Sequence, residues 1–334
     1  MLFLELILAL LTILVAAEIF VNALEHLGEK LHISEGVTGS LFAAIGTALP
    51  ETMVPLLAIF AGTSNTAVNQ EIGVGAILGA PLMLSTLSLS LMSFACLRKR
   101  GITGKFTAEP SGLKRDMNFF LIAFGLACVA MYIPHTRQYI RYALSFTMTA
   151  IYVAYIVLTL RASAALVEQG HGTAAAKIML LSKAGVPTNY YTILIQLLLG
   201  LALLVAGSEG FIHGIEQAAP LLGISALILS LLVVPIATEL PEKINSILWI
   251  RGGKDTLAFG NITGALVFQG TLLPAIGISL MPWTPQPAVL SGIAVTLIAI
   301  LWLRLLLAKG ALRVWHLWVN GGLYLVYLAF TLLR

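Results

Sequence analysis

The chain has 334 residues, of which 59% are hydrophobic and only 10% are charged. Soluble domains carry about 25% charged residues, so this composition excludes a soluble enzyme and predicts an integral membrane protein. The net charge of +4 does not indicate a nucleic-acid partner, because the basic residues stand beside hydrophobic segments. Cys96 and Cys128 do not make a disulfide framework.

Ten hydrophobic segments follow one another along the chain, each close to the roughly 20 residues that a membrane helix needs. Their length and their lack of strict alternation favour helices over barrel strands. The first segment lacks the positive region of a signal peptide and is interpreted as a retained span. The predicted spans are 2–24, 37–61, 71–95, 117–134, 139–161, 190–212, 222–250, 256–280, 287–308 and 314–333.

The basic residues predict how these spans are oriented. One side carries most of them: Lys30, Arg98, Lys99, Arg100, Lys105, Lys114, Arg115, Arg161, Lys177, Lys183, Arg251, Lys254, Lys309 and Arg313. The other side carries Arg137, Arg141 and Arg334. The basic side is therefore predicted to be cytoplasmic, and both termini are predicted to lie on the other side of a cell membrane.

The chain resembles itself at an offset of 191 residues, which separates Glu51 from Glu242. Glu18 and Glu209 match at the same offset, and a shorter loop then brings Gly75 onto Gly260. Spans 1–3 thus match spans 6–8, and because five is odd, the two halves must enter the membrane in opposite senses. Inverted repeats of this kind are typical of secondary transporters.

The predicted fold is therefore all-α and membrane-embedded, with ten transmembrane helices arranged as two inverted five-helix repeats. The repeats comprise residues 1–161 and 190–334, and a cytoplasmic linker, residues 162–189, joins them. A short amphipathic helix is predicted in the linker around Ala174–Leu181.

Two matched segments contain a proline and a glutamate within a span, residues 46–51 (GTALPE) and 237–242 (ATELPE). A proline inside a helix leaves the carbonyl four residues earlier without its usual partner. Pro50 and Pro241 are therefore expected to free the carbonyl groups of Gly46 and Ala237.

The same two segments supply further oxygen atoms. Thr47 and Thr238 carry hydroxyl groups, and Glu51 and Glu242 carry carboxylates. Hard cations such as Ca²⁺ bind six to eight oxygen ligands, so the two halves together predict a cation site. The alternative interpretation is a pair of proline kinks whose glutamates are satisfied by neighbouring helices.

Glu239 and Lys243 have no charged counterpart in the first half, where Ala48 and Thr52 stand. They are four residues apart with the glutamate first, which favours a helical ion pair. One hypothesis is that they form an intramembrane pair. The other is that Lys243 extends to the cytoplasmic interface while Glu239 serves as a third cation ligand.

Glycines and further acidic residues complete the pattern. Gly75 and Gly79, like Gly260 and Gly264, are spaced to let helices approach closely. Glu18 and Glu209 are predicted near span ends, where they either extend to the headgroups or line an ion path, and Asp116 and Asp255 are predicted outside the spans.

These segments resemble the calcium/cation antiporter superfamily, which includes the sodium/calcium exchangers. Its pattern is a GTSLPE-like segment in each half followed by a GNxxGSNxxN-like segment. Here the second members of the two pairs read GAILGAPLML, residues 75–84, and GNITGALVFQ, residues 260–269. The resemblance implies ten helices, alternating access, Glu51 and Glu242 as central calcium-binding carboxylates, and Thr47 and Thr238 as neighbouring oxygen ligands.

Several polar positions of the family pattern are changed. Ala48 and Glu239 replace its serines, whereas Asn261 is kept and Gln269 stands at a later amide or acid position. In sodium-coupled members several of these positions are sodium ligands, so either Na⁺ or H⁺ is expected as the counter-ion.

The predicted function is secondary active antiport of Ca²⁺ against Na⁺ or H⁺. A cation channel or passive pore and a non-transporting membrane relative remain as alternatives. No enzyme is expected, because no nucleophile–base pair lies within a span. Inorganic cations and the lipid bilayer are the expected partners, with no cofactor, no nucleic acid and no obligate protein partner.

Overall fold

The computed structural model describes residues 2–30, 49–108, 110–167, 178–253 and 255–333, except for some side chains within helices. Within these ranges the chain is mostly helical, since apolar segments in lipid must satisfy their backbone hydrogen bonds internally. The helices are α1 Leu2–Lys30, α2 Leu49–Phe60, α3 Thr66–Met83, α4 Leu89–Arg100, α5 Pro110–Ala130, α6 Gln138–Val167, α7 Tyr190–Leu222, α8 Ala226–Thr238, α9 Leu240–Arg251, α10 Asp255–Leu280, α11 Pro287–Ala308 and α12 His316–Leu332. A π-helical turn, Leu84–Ser88, joins α3 to α4.

Within the described ranges, five helical stretches are long and apolar enough to cross a membrane. They are Thr66–Arg100, His135–Thr159, Tyr190–Leu222, Ala258–Leu280 and Pro287–Ala308. Two shorter apolar helices, Glu51–Phe60 and Ala226–Pro235, accompany them. The mostly helical membrane fold is confirmed, and the count of ten spans in two inverted repeats stays a prediction.

Helices α1 and α7 pack against each other along their length. The contact is close because glycines of α7 face α1: a Cβ atom at Gly207 would lie 2.9 Å from Ile13, and one at Gly200 would lie 2.9 Å from Phe20. Their outer faces expose leucines such as Leu8 and Leu198. In a membrane these faces are suited to contact lipid.

A second group of helices surrounds α10, which contacts α3, α5, α6 and α9. Its largest buried side chains include Phe120, Phe124 and Trp283, whose indole N–H donates to the Ala127 carbonyl at 2.8 Å. Arg141 of α6 is buried and donates to the carbonyls of Ile278 and Met281, each at 2.8 Å. It therefore caps the C-terminal end of α10, whose last carbonyls lack partners within the helix.

Helix α3 packs tightly against α8 through the predicted glycine pair. A Cβ atom at Gly75 would lie 2.7 Å from Ser230, and one at Gly79 would lie 2.5 Å from the Leu231 carbonyl oxygen. The predicted close approach is therefore confirmed in the first half. At the matched Gly260, no atom of the described residues lies within 4 Å of a Cβ atom.

The segment before α7 is held by the α1–α7 pair. Asn22 of α1 accepts the N–H of Leu180 at 2.9 Å, and Gln196 of α7 accepts that of Leu181 at 3.0 Å. Gln196 also donates to Asn22 at 2.9 Å. A 3₁₀ turn follows at Leu181–Ala184.

This segment differs from the prediction. Residues 178–180 are not helical, so the predicted amphipathic helix is wrong there, and its residues 174–177 lie outside the described residues. Asn22 donates to the Ile178 carbonyl at 3.4 Å and accepts from the Leu180 N–H, and these two hydrogen bonds hold the segment in a non-helical conformation. Helix α6 continues to Val167, beyond the predicted start of the linker at residue 162.

The basic loop after α4 is tied to the start of α10. The guanidinium of Arg100 donates to both carboxylate oxygens of Asp255, at 2.7 and 2.5 Å. The N–H of Thr107 donates to the same carboxylate at 2.8 Å. Burial raises the pKa of Asp255, but these hydrogen bonds outweigh it and hold that pKa below its ordinary value.

Candidate cation site

The predicted second-half segment lies where one helix ends and the next begins. Helix α8 ends at Thr238 and α9 begins at Leu240, so Glu239 stands between them. The N–H of Glu239 donates to the Pro235 carbonyl at 3.4 Å, and its carbonyl accepts from the Lys243 N–H at 3.1 Å. The interruption is therefore one residue wide.

The sequence suggested that Pro241 lies in the interior of a helix, but Pro241 is the second residue of α9. The first N–H groups of a helix have no partner within it, so a proline there removes no hydrogen bond. Ala237 lies in the last turn of α8. Its carbonyl therefore belongs to a helix end, where carbonyls are available to other partners.

Glu239 and Lys243 form a buried ion pair at this interruption. The Lys243 Nζ lies 3.8 Å from a carboxylate oxygen of Glu239, and the two residues are 5% and 0% exposed. The same ammonium donates to the Pro235 carbonyl at 2.9 Å. The hypothesis of a pair is confirmed, and the burial of Lys243 contradicts the alternative in which it extends to the interface.

Thr238 is fully buried in the last turn of α8. Its hydroxyl donates to the Val234 carbonyl one turn earlier, at 3.0 Å. With its hydrogen used in this way, the hydroxyl oxygen keeps lone pairs that are suited to a cation.

Glu51 stands in the first turn of α2, which contacts α3 and α7. Only 1% of the residue is exposed, and Val54 and Ala58 on the same helix are also buried. A carboxylate in such surroundings is costly unless protein groups or a cation compensate its charge. Glu51 is therefore buried, and its role as a cation ligand stays a prediction.

Other predicted ligands lie at or beyond the limits of the described residues. Gly46 and Thr47 lie outside them. Pro50 has a helical backbone in α2, and Ala237, Pro241 and Glu242 have helical backbones in α8 and α9, but their side chains lie outside the described part. The convergence of Glu51 with Glu242 stays a prediction.

Two predicted supporting residues lie on α10. Asn261 donates to the Ser246 hydroxyl at 3.0 Å and so ties α10 to α9. Gln269 is buried, and its side-chain carbonyl accepts no hydrogen bond from the described residues. Asn261 is half-buried, and the supporting role of both amides at the cation site stays a prediction.

Sequence reasoning overlooked Glu71, whose carboxylate accepts the N–H of Leu227 at 3.2 Å. It therefore caps α8 from the neighbouring helix α3, where negative charge is favoured by the helix dipole. The available signal was its place as an acidic residue at the start of a predicted span.

Asp116 was expected outside the spans but is buried within α5. It accepts a hydrogen bond from the Thr263 hydroxyl of α10 at 2.7 Å. Helix α5 begins at Pro110, before the predicted span at residue 117. The prediction missed this because Lys114 and Arg115 are charged, and hydropathy does not show that a carboxylate has a partner.

Glu18 and Glu209 are exposed and lie well within α1 and α7, not near helix ends as expected. The helices continue because α1 and α7 support each other beyond these residues. Glu209 lines a cavity of about 240 Å³ together with Gly62, Thr63 and His213. This placement puts Glu209 beside the loop that joins α2 to α3.

Comparison with known proteins identifies the family. The sequence pattern of the sodium/calcium exchanger protein family matches residues 1–161 and 192–333. The chain belongs to the sodium/calcium exchanger family. This is a family of membrane transporters and not of enzymes.

Relatives within this family match most of the chain. The putative antiporter CaxA of Alkalimonas amylolytica is 26% identical over 80% of this chain and 77% of its own length. The inner membrane protein YrbG of Escherichia coli (strain K12) is 26% identical over 81% of this chain and 78% of its own length.

Solved structures have a similar fold. The H⁺/Ca²⁺ exchanger CAX superposes with a TM-score of 0.72 at 18% identity, covering 99% of this chain and 82% of that one. The sodium-calcium exchanger NCX_Mj superposes with a TM-score of 0.59 at 20% identity, covering 98% and 99%. The exchanger-like, multi-pass membrane fold predicted from the sequence is thus supported along nearly the whole chain.

Proposed function

We propose that this protein is a secondary active antiporter that exchanges Ca²⁺ for Na⁺ or H⁺ by alternating access. Glu51 and Glu242 are its central cation-binding carboxylates, with oxygen atoms of Thr47, Thr238, Gly46 and Ala237 around them. The observation that carries the proposal is the buried Glu51 carboxylate in the first turn of an apolar membrane helix. Such a charge in a membrane by default indicates function.

The architecture supports the second carboxylate. Helices α2 and α9 both contain a leucine–proline–glutamate triplet, and its leucines, Leu49 and Leu240, are separated by the offset of the internal repeat. Helix α2 packs on α3, and α9 packs on α10 in the corresponding way. Two such helices in halves of opposite orientation would bring one glutamate each to the repeat interface.

The proposal includes the ten-helix inverted repeat and a cytoplasmic basic face. Both solved exchangers that superpose on the chain have names that specify Ca²⁺ or sodium–calcium exchange. Two carboxylates balance the charge of one divalent ion. An empty site with two negative charges is costly to carry through lipid, so exchange with a counter-ion is favoured over net release.

The test is calcium uptake into proteoliposomes with an imposed Na⁺ or H⁺ gradient. Wild-type protein should show saturable uptake driven by one of these gradients. Glu51→Gln and Glu242→Gln should each lower uptake by about 100-fold or more, because breaking a buried charge arrangement costs about 3–5 kcal/mol and every 1.4 kcal/mol is tenfold.

Glu5→Gln is the matched control, because Glu5 is an exposed glutamate of α1, and its uptake should equal that of wild type. Uptake that responds to neither gradient would contradict antiport. Non-saturating flux without counter-ion dependence would indicate a channel instead.

A further inference from the structure

The buried ammonium of Lys243 has the surroundings of a bound cation. It lies 2.9 Å from the Pro235 carbonyl oxygen and 3.8 Å from a Glu239 carboxylate oxygen. Carbonyl and carboxylate oxygens are the ligands that hard metal cations prefer. A lysine side chain thus places a covalently attached ammonium group at the interruption between α8 and α9.

The local charge explains why a cation is present there. Glu239 is fully buried, and an isolated buried carboxylate costs several kcal/mol. The ammonium of Lys243 compensates this charge within the same helical turn. The pair is then neutral, and the charge of the proposed Glu51–Glu242 site remains that of two carboxylates.

The first half has no such pair. Its matched residues are Ala48 and Thr52, neither of which carries a charge. The internal cation therefore distinguishes one half of the repeat from the other.

We propose that Lys243 is a tethered substitute for an exchanged monovalent cation. It takes a position next to the proposed calcium site that a small cation such as Na⁺ or K⁺ would otherwise occupy. A covalently attached cation cannot be released on either side of the membrane, so each transport cycle exchanges one monovalent ion fewer. The inference rests on the proposed function for its consequence in transport, but the binding property belongs to the α8–α9 interruption alone.

The test uses purified full-length protein without calcium. Melting temperature is measured as NaCl or KCl replaces choline chloride at constant ionic strength. In Lys243→Ala, the Glu239 carboxylate and the Pro235 carbonyl remain while the ammonium is removed. This variant should show a saturable rise in melting temperature with Na⁺ or K⁺ that exceeds any rise in wild type, because binding to the folded state stabilises it.

Two further variants keep the test decisive. Glu239→Gln/Lys243→Ala carries no charge at the interruption and keeps an amide oxygen there, so it should fold and show a weaker but saturable response. Glu239→Leu/Lys243→Met offers no side-chain oxygen at the interruption and should respond no more than wild type. A folded Lys243→Ala or Glu239→Gln/Lys243→Ala without any response would overturn the inference, as would an equal response in wild type.

Transport separates this inference from the proposed function. In proteoliposomes, Lys243→Ala should require one more monovalent ion for each calcium ion, read from the reversal of flux as both gradients are varied. Suppose that wild type exchanges calcium and that Lys243→Ala binds Na⁺ or K⁺. If its coupling ratio were then the same as that of wild type, Lys243 would not take the place of an exchanged cation. Absence of calcium exchange in wild type would instead contradict the proposed function and leave the melting result to decide the binding property.

Discussion

Helices α2 and α9 contain the same leucine–proline–glutamate triplet, residues 49–51 and 240–242, yet their charges differ. Lys243 of α9 forms a buried ion pair with Glu239. The matching positions in the first half hold Ala48 and Thr52, which are uncharged. Two segments that match in sequence thus differ in electrostatics. The comparison shows that matched segments can share a proline–glutamate pattern while only one of them carries a charge pair.

The largest effect on stability is expected from breaking that pair. Lys243→Met should lower the free energy of unfolding by about 3–5 kcal/mol, because Glu239 would keep a buried charge without its ammonium. Glu239→Leu/Lys243→Met should recover most of this loss, since neither position then carries a buried charge. Thermal unfolding in detergent measures both, with the exposed Lys309→Met as a control.

If Lys243→Met unfolded like wild type and also transported normally, the pair would have no role. The difference in charge between the two halves would then affect neither stability nor transport.

A second effect on stability is expected from breaking the hydrogen bonds between Arg100 at the end of α4 and Asp255 at the start of α10. Asp255→Asn should destabilise the protein by about 1.5–3 kcal/mol at neutral pH, because it removes charge-assisted hydrogen bonds from Arg100. The pKa of Asp255 is held below its ordinary value, so its stabilising contribution is present above about pH 4. It is lost as the pH falls through the lowered pKa.

The measurement is the difference in melting temperature between wild type and Asp255→Asn across acidic pH. The gap should close as the solution is acidified below about pH 4. A gap that widened on acidification would mean that the carboxylate is not stabilised in its charged form.

The packing of α8 against α3 offers a third test. Gly79→Ala should cost about 1–3 kcal/mol, because its Cβ atom would lie 2.5 Å from the Leu231 carbonyl oxygen. Gly125→Ala in α5 is the matched control, since no described atom lies within 4 Å of that position and alanine favours helix. Equal stability of the two variants would show that α8 shifts freely on α3.

The smallest effect is expected where the linker meets α1 and α7. Asn22→Ala should cost about 1 kcal/mol, because Asn22 accepts from the Leu180 N–H and from Gln196. Limited proteolysis should cut near residues 178–181 faster in this variant. Unchanged cleavage would show that packing of Met179, which is fully buried, holds the segment without these hydrogen bonds.

The sequence determined the class of protein and the identity of its few unusual charges. Low charge content and apolar segments leave only helices or barrels as structures that can span lipid. An internal repeat at an offset of 191 residues matched Glu51 with Glu242. Such inferences succeed because a charge within a membrane span is rare enough to be significant by itself.

Only the tertiary structure decided which polar groups meet. The position of the helix interruption at Glu239, the capping of α8 by Glu71 and the contact of Asp116 with Thr263 each join residues by geometry. Asn22 and Gln196 likewise depend on the packing of α1 against α7. Hydropathy records the cost of burying a polar group, but its partner becomes visible only when distant helices are brought together.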